Sequence, residues 1–130
     1  MSEPQVIPEA VLEVVSPDGQ RRFVPVTQVP FLIGRGAETG NHLQLTDRRI
    51  SRQCAAIVLE GGRFYLEDRG QRRGVFVNGE KVDSRELANK DSITFGLADS
   101  YEIIFRSSAG SSEEAISSLL SRIEQITRTD

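Results

Sequence analysis

Turn-forming residues interrupt the first hundred positions of this 130-residue chain about every eight to twelve residues. That spacing leaves no room for a long helix. "AVLEVVS" stops at "PDG" and is followed by "RRFVPV", which predicts a hairpin. "CAAIVLE" and "GRFYLED" flank Gly61-Gly62, and "GVFVNGEKV" carries Asn78-Gly79 between two strand-like pieces. Both dipeptides tolerate the positive φ that a two-residue hairpin turn requires. "PFLIG", "HLQL", "DSITFG" and "SYEIIFR" complete a series of about ten short strands, the pattern of an all-β sandwich or barrel. Apolar residues alternate loosely in these runs, as in strands with one buried face.

The composition changes after Arg106. "SSAGSS" (107–112) reads as a flexible linker. Residues 113–130 then carry Ile116, Leu119, Leu120, Ile123 and Ile126 at helical spacing. Ser112 is placed to cap this helix, and Glu113 and Glu114 suit its first turn. Two readings stand side by side: an amphipathic helix packed on the domain or fraying in solvent, or the start of a coiled coil supporting a homodimer. Residues 1–9 form an N-terminal extension and 10–106 the globular unit.

Several function classes are disfavoured. No apolar run reaches the ~20 residues of a membrane helix, and "MSEPQVIPEA" lacks the build of a secretory signal. One cysteine suits a reducing compartment, so the expected location is cytoplasmic. A net charge of −3 speaks against nucleic acid. Cys54 and His42, the only residues of their kinds, are too few for a structural zinc site. Cys54 opens the apolar run "CAAIVL", where an inert buried thiol is commoner than a nucleophile. No catalytic residue, metal or cofactor is expected.

The distribution of charge is more informative than its total. Between positions 35 and 73 stand eight arginines, five acids and no lysine. Guanidinium donates in a planar fork that suits carboxylate and phosphate oxygens. A lone surface arginine is more often simply solvated. Three arginine-bearing segments, 33–41, 46–53 and 68–75, fall between strands, where a sandwich gathers its loops. Gly34 is expected to let the chain turn at a strand end and to admit close backbone approach. Arg35 then points outward, and Ser51 offers a hydroxyl and a free backbone N–H beside Arg52. Anion binding follows only if these loops converge, which spacing alone does not establish.

"FLIGRG", "RISRQCAAI" and "LEDRGQRRGVFVNGEKV", in that order, resemble the motifs of a forkhead-associated (FHA) domain. That family shows a Gly-Arg pair, a Ser-x-x-His motif and a segment of the type Asp-x-Gly-Ser-Thr-Asn-Gly. The resemblance covers about residues 10–106. It implies a β-sandwich of about eleven strands whose loops at one end bind phosphothreonine peptides. By position it implies that Arg35 and Ser51 hold phosphate and that Arg52 adds a phosphate or peptide-backbone contact. Asp68 and Gly70 match the turn before the third loop, and Gly74 and Asn78-Gly79 match its end and the hairpin beyond. The chain departs from the pattern at two places. Cys54 replaces the loop-supporting histidine, and Gln71-Arg72-Arg73-Gly74 replaces Ser-Thr-Asn-Gly. Arg72 and Arg73 attract phosphate but accept no hydrogen bond, so they cannot duplicate the asparagine amide. The expected function is a phosphothreonine-directed, phosphopeptide-binding interaction module of a signalling protein. The alternative is a degenerate FHA domain making phospho-independent contacts or self-associating.

Overall fold

A computed structural model describes residues 8–37 and 39–107. Eleven strands follow in chain order: β1 (Ala10–Val15), β2 (Arg21–Pro25), β3 (Phe31–Arg35), β4 (Leu43–Leu45), β5 (Ala55–Glu60), β6 (Arg63–Asp68), β7 (Val75–Val77), β8 (Glu80–Val82), β9 (Ser84–Glu86), β10 (Ser92–Thr94) and β11 (Glu102–Ser107). They form a six-stranded sheet, β2-β1-β11-β10-β7-β8, and a five-stranded sheet, β4-β3-β5-β6-β9. The fold is an all-β sandwich, with no helix among the described residues. The expected linker and C-terminal helix lie almost wholly outside those residues; only Ser107 is described, and it ends β11.

Period-two patterning explains the two layers. Ile103 and Phe105 of β11 point inward, while Ile104 and Arg106 are only half-buried on the outer face. Phe64 of β6 and Phe105 meet edge to face across the layers, with ring centroids 5.4 Å apart. Phe64, Leu66, Ile33 and Ile57 from one sheet pack with Leu12, Ile93 and Phe105 from the other in one continuous core. Each such side chain contributes about 1.5–3 kcal/mol by leaving water. Glu13 of β1 interrupts the apolar pattern. It is buried on the outer face under Arg21 and Arg106, whose guanidinium groups satisfy its carboxylate.

The expected hairpins are present. Gly61 and Gly62 have φ of 59° and 78° at the β5–β6 turn, and Asn78 and Gly79 have 52° and 85° at β7–β8. Positive φ at both central residues matches the right-handed twist of the flanking strands. β9 is the strand that patterning does not reveal. "SRE" has no apolar alternation, because it only caps the sheet edge by pairing with Tyr65–Glu67 of β6.

Antiparallel register places the C-terminal ends of β3, β6 and β10 at the same end as the N-terminal end of β5, since Ile33 pairs Ala55, Ala55 pairs Asp68 and Thr94 pairs Phe76. The loop segments at residues 36–37, 39–42, 46–54, 69–74 and 95–101 are therefore neighbours there. Gly34 lies in extended backbone within β3 and does not make the turn expected of it; Gly36, at φ 74°, sits at the strand end instead. The close approach does occur. A Cβ built on Gly34 would lie 2.0 Å from the Arg52 carbonyl oxygen and 2.8 Å from Asn41 Nδ2. Gly34→Ala is therefore expected to destabilise the domain by about 1–3 kcal/mol in urea denaturation, through overpacking against backbone. An unchanged midpoint would mean that the Arg52 loop can withdraw without cost.

Candidate functional site

Residues 46–54 form the centre of this loop end. Ile50 is buried and anchors the segment in the core, leaving Ser51 half-exposed above it. Arg35, at the end of β3, donates its backbone N–H to the Ser51 carbonyl at 3.1 Å and its side-chain Nε to the Ile50 carbonyl at 3.0 Å. The guanidinium is thereby held at one edge. Its two terminal nitrogens make no hydrogen bond with a described residue and remain available as donors.

Ser51 is bound from the other side by the loop at 69–74. Its backbone N–H donates to Gln71 Oε1 at 2.9 Å, and its Oγ accepts the Arg72 backbone N–H at 3.0 Å. The expectation of a free Ser51 N–H is thus corrected: a buried glutamine amide occupies it. The hydroxyl hydrogen remains to be donated elsewhere. Gln71 also donates Nε2 to the Phe95 carbonyl at 3.1 Å, so one side chain joins three loops. Asp68 sets that loop's shape by accepting the backbone N–H groups of Gly70 at 2.8 Å and Gln71 at 3.0 Å.

Arg35, Ser51 and Arg72 are joined directly by these bonds. Arg52 follows Ser51 with its side chain exposed, and its carbonyl accepts Asn41 Nδ2 at 2.7 Å and Thr39 Oγ1 at 3.1 Å. Arg73 is exposed and backs onto the loop after β10, where a Cβ on Gly96 would lie 3.0 Å from Arg73 Cβ. All five expected site residues therefore stand on the same loop end.

Sequence reading misses Gln71, which sits in a polar run, "DRGQRRG", that looks wholly solvated; it is 5% exposed. It also misses the bracing of the 46–54 loop. Asp47 accepts Arg49 Nε and Nη2 at 3.0 and 2.9 Å and Ser100 Oγ at 2.6 Å. Arg49 in turn donates to the carbonyls of Ala98 and Asp99. Thr46 and Tyr101 add a 2.7 Å hydroxyl contact between the same two loops. Arg49 is thereby committed to structure rather than to a ligand.

Cys54 is fully buried just ahead of β5, and its Sγ approaches the Ile33 carbonyl at 3.1 Å. Burial pushes the thiol up to about 12, with the Asp68 charge adding to the shift. A buried thiol shifted in this direction is little ionised at neutral pH, and its contact with Ile33 braces the loop.

A family model for the FHA domain matches residues 31–96, about half the chain, and the chain belongs to that family. Glycogen accumulation regulator GarA of Mycolicibacterium smegmatis is 41% identical over 61 residues, which is 47% of this chain but only 39% of that protein. The FHA domain of FhaA, solved in complex with the intracellular domain of Rv3910, is 29% identical with a TM-score of 0.63, covering 75% of this chain and 99% of that one. Mycobacterium tuberculosis EmbR in complex with a low-affinity phosphopeptide is 27% identical with a TM-score of 0.63, covering 78% of this chain and 26% of that one. FHA domains are interaction modules that typically bind phosphothreonine. Among the described residues no helix is long and apolar enough to cross a membrane.

Two outcomes follow from the loop chemistry. The Arg49 hydrogen bonds hold the Asp47 carboxyl at about 2 against the opposing effect of burial, and Ser100 assists. A depressed folded-state value stabilises the domain above the unfolded value near 4, and that contribution is lost as pH falls towards 2. Asp47→Asn is expected to lower stability by about 1–2 kcal/mol at pH 7, with the gap to wild type closing between pH 4 and 2. A gap that persists at pH 2 would contradict this assignment. Cys54 is expected to resist iodoacetamide in the native state at pH 8 and to react promptly in denaturant; fast native labelling would contradict its burial.

Proposed function

We propose that the loop end of the sandwich binds a phosphothreonine-bearing segment of a partner protein, and that the unit spanning residues 10–106 serves a signalling protein as its recognition module. The observation that carries this reading is the pairing of Arg35 with Ser51. The guanidinium is fixed through Nε with its terminal nitrogens unused, beside a serine whose oxygen is oriented by the Arg72 N–H. A phosphate needs several charge-assisted donors arriving from different directions. Arg35 and the Ser51 hydroxyl are the central pair, Arg52 flanks them, and Arg72 and Arg73 stand at the rim. The similarity to EmbR, solved with a low-affinity phosphopeptide, supports a phosphopeptide as the ligand class. Such a reader works where kinases act, which fits a cytoplasmic setting.

One observation favours a second reading, phospho-independent contact. Gln71 occupies the Ser51 N–H, and Arg72 and Arg73 stand where the resemblance expects the threonine that selects phosphothreonine and the asparagine that holds the peptide backbone. Calorimetric titration separates the two. Phosphothreonine peptides are expected to bind while their unphosphorylated forms do not. Arg35→Ala is expected to weaken binding about 10- to 100-fold, the cost of losing hydrogen bonds to a charged group. Equal affinity for phosphorylated and unphosphorylated peptides, or indifference to Arg35→Ala, would transfer the choice to the second reading.

A further inference from the structure

The structure sorts seven of the eight arginines of residues 35–73 into two groups. Arg49 is tied to Asp47, Arg63 to Glu86 and Arg69 to Glu67. Arg35, Arg48, Arg72 and Arg73 form no ion pair with a described residue. Two acids of these loops are already used. Asp47 is held by Arg49 and Ser100, and Asp68 is spent on the backbone N–H groups of Gly70 and Gln71. A chain of net charge −3 thus keeps at one end several guanidinium groups that have no ion pair among the described residues. Adjacent like charges there raise the local positive potential.

One phosphate held by Arg35 and Ser51 does not account for this surplus. Arg72 lies beside Ser51 through its backbone bond, and Arg73 extends the rim towards Gly96. Both side chains are exposed. Guanidinium only donates, so what completes these two must accept and is best charged. We propose that this site, if it reads phosphopeptides as argued above, selects those carrying a second anionic group within a few residues of the phosphate, and that Arg72 and Arg73 read that group. Its chemistry is a carboxylate or a second phosphate.

The test uses the full chain and four peptides of equal length. One has a single phosphothreonine in neutral flanks, the second has aspartates added within three residues on each side, the third has a second phosphate there, and the fourth is the aspartate peptide without phosphate. The aspartate and doubly phosphorylated peptides are expected to bind about two- to fivefold more tightly than the neutral one, the scale of one exposed charge pair. This ratio is expected to fall to about one in Arg72→Gln/Arg73→Gln, and to shrink in wild type as salt is raised. A larger gain for the aspartate peptide assigns the second group to a carboxylate, and a larger gain for the doubly phosphorylated one to phosphate. Equal affinities across the phosphorylated peptides in wild type, or a ratio that survives the double substitution, would overturn the proposal while leaving phosphopeptide binding intact. Failure of every phosphorylated peptide to bind would sink the phosphopeptide reading itself.

Discussion

The carboxamide of Gln71 holds together loops that the chain places about twenty residues apart. It accepts the Ser51 N–H and donates to the Phe95 carbonyl while its own side chain is buried. Buried amides are stable only when such bonds are made, because an unpaired polar group costs about 1–3 kcal/mol. Geometry at the loop end is therefore coupled: Ser51 is positioned only if the 69–74 loop is in place, and that loop is shaped by Asp68. Arg35 depends on the same arrangement, since both its backbone and its Nε bond to carbonyls of the 46–54 segment.

The sandwich supplies the rigidity this arrangement needs. Strands β3, β5 and β6 carry the Arg35, Ser51 and Gln71 loops, and their pairing sets the distance between loop bases. The Asp47–Arg49–Ser100 bracket and the Thr46–Tyr101 contact then join the 46–54 loop to the loop that leads into β11. Loops anchored at both ends and tied across lose less entropy when a ligand orders them, which is how a scaffold lends affinity to a surface. The site also takes its character from Gly34. Only the absence of a Cβ lets the Arg52 carbonyl lie against β3, and that contact carries Ser51 and Arg52 into place.

Departures from the family pattern are accommodated without loss of the fold. Cys54 keeps a hydrogen bond to the Ile33 carbonyl in the slot where the resemblance expects histidine, so the loop beneath Ser51 retains support. Gln71-Arg72-Arg73 is a different matter. The first residue turns inward and becomes structural, and the other two turn outward with their charge uncompensated by described residues. One short substitution thus contributes both a brace and a basic rim.

Local patterning was enough to make the layered all-β fold legible. Asn78-Gly79 and Gly61-Gly62 demand hairpins through their backbone freedom, and alternation in runs such as "EIIFRS" demands one buried face. Motif order added Arg35, Ser51 and their neighbours as candidates, because those residue types suit an anion wherever they meet. Whether they meet was a non-local question. Strand register brought their loops to one end, and three-dimensional contact separated the arginines tied to described carboxylates (Arg49, Arg63 and Arg69) from Arg35, Arg48, Arg72 and Arg73. Gln71 illustrates the limit most directly. Nothing in "DRGQRRG" marks its glutamine as buried, since burial there comes from Ser51 and Phe95, residues far off in the chain and adjacent only after folding.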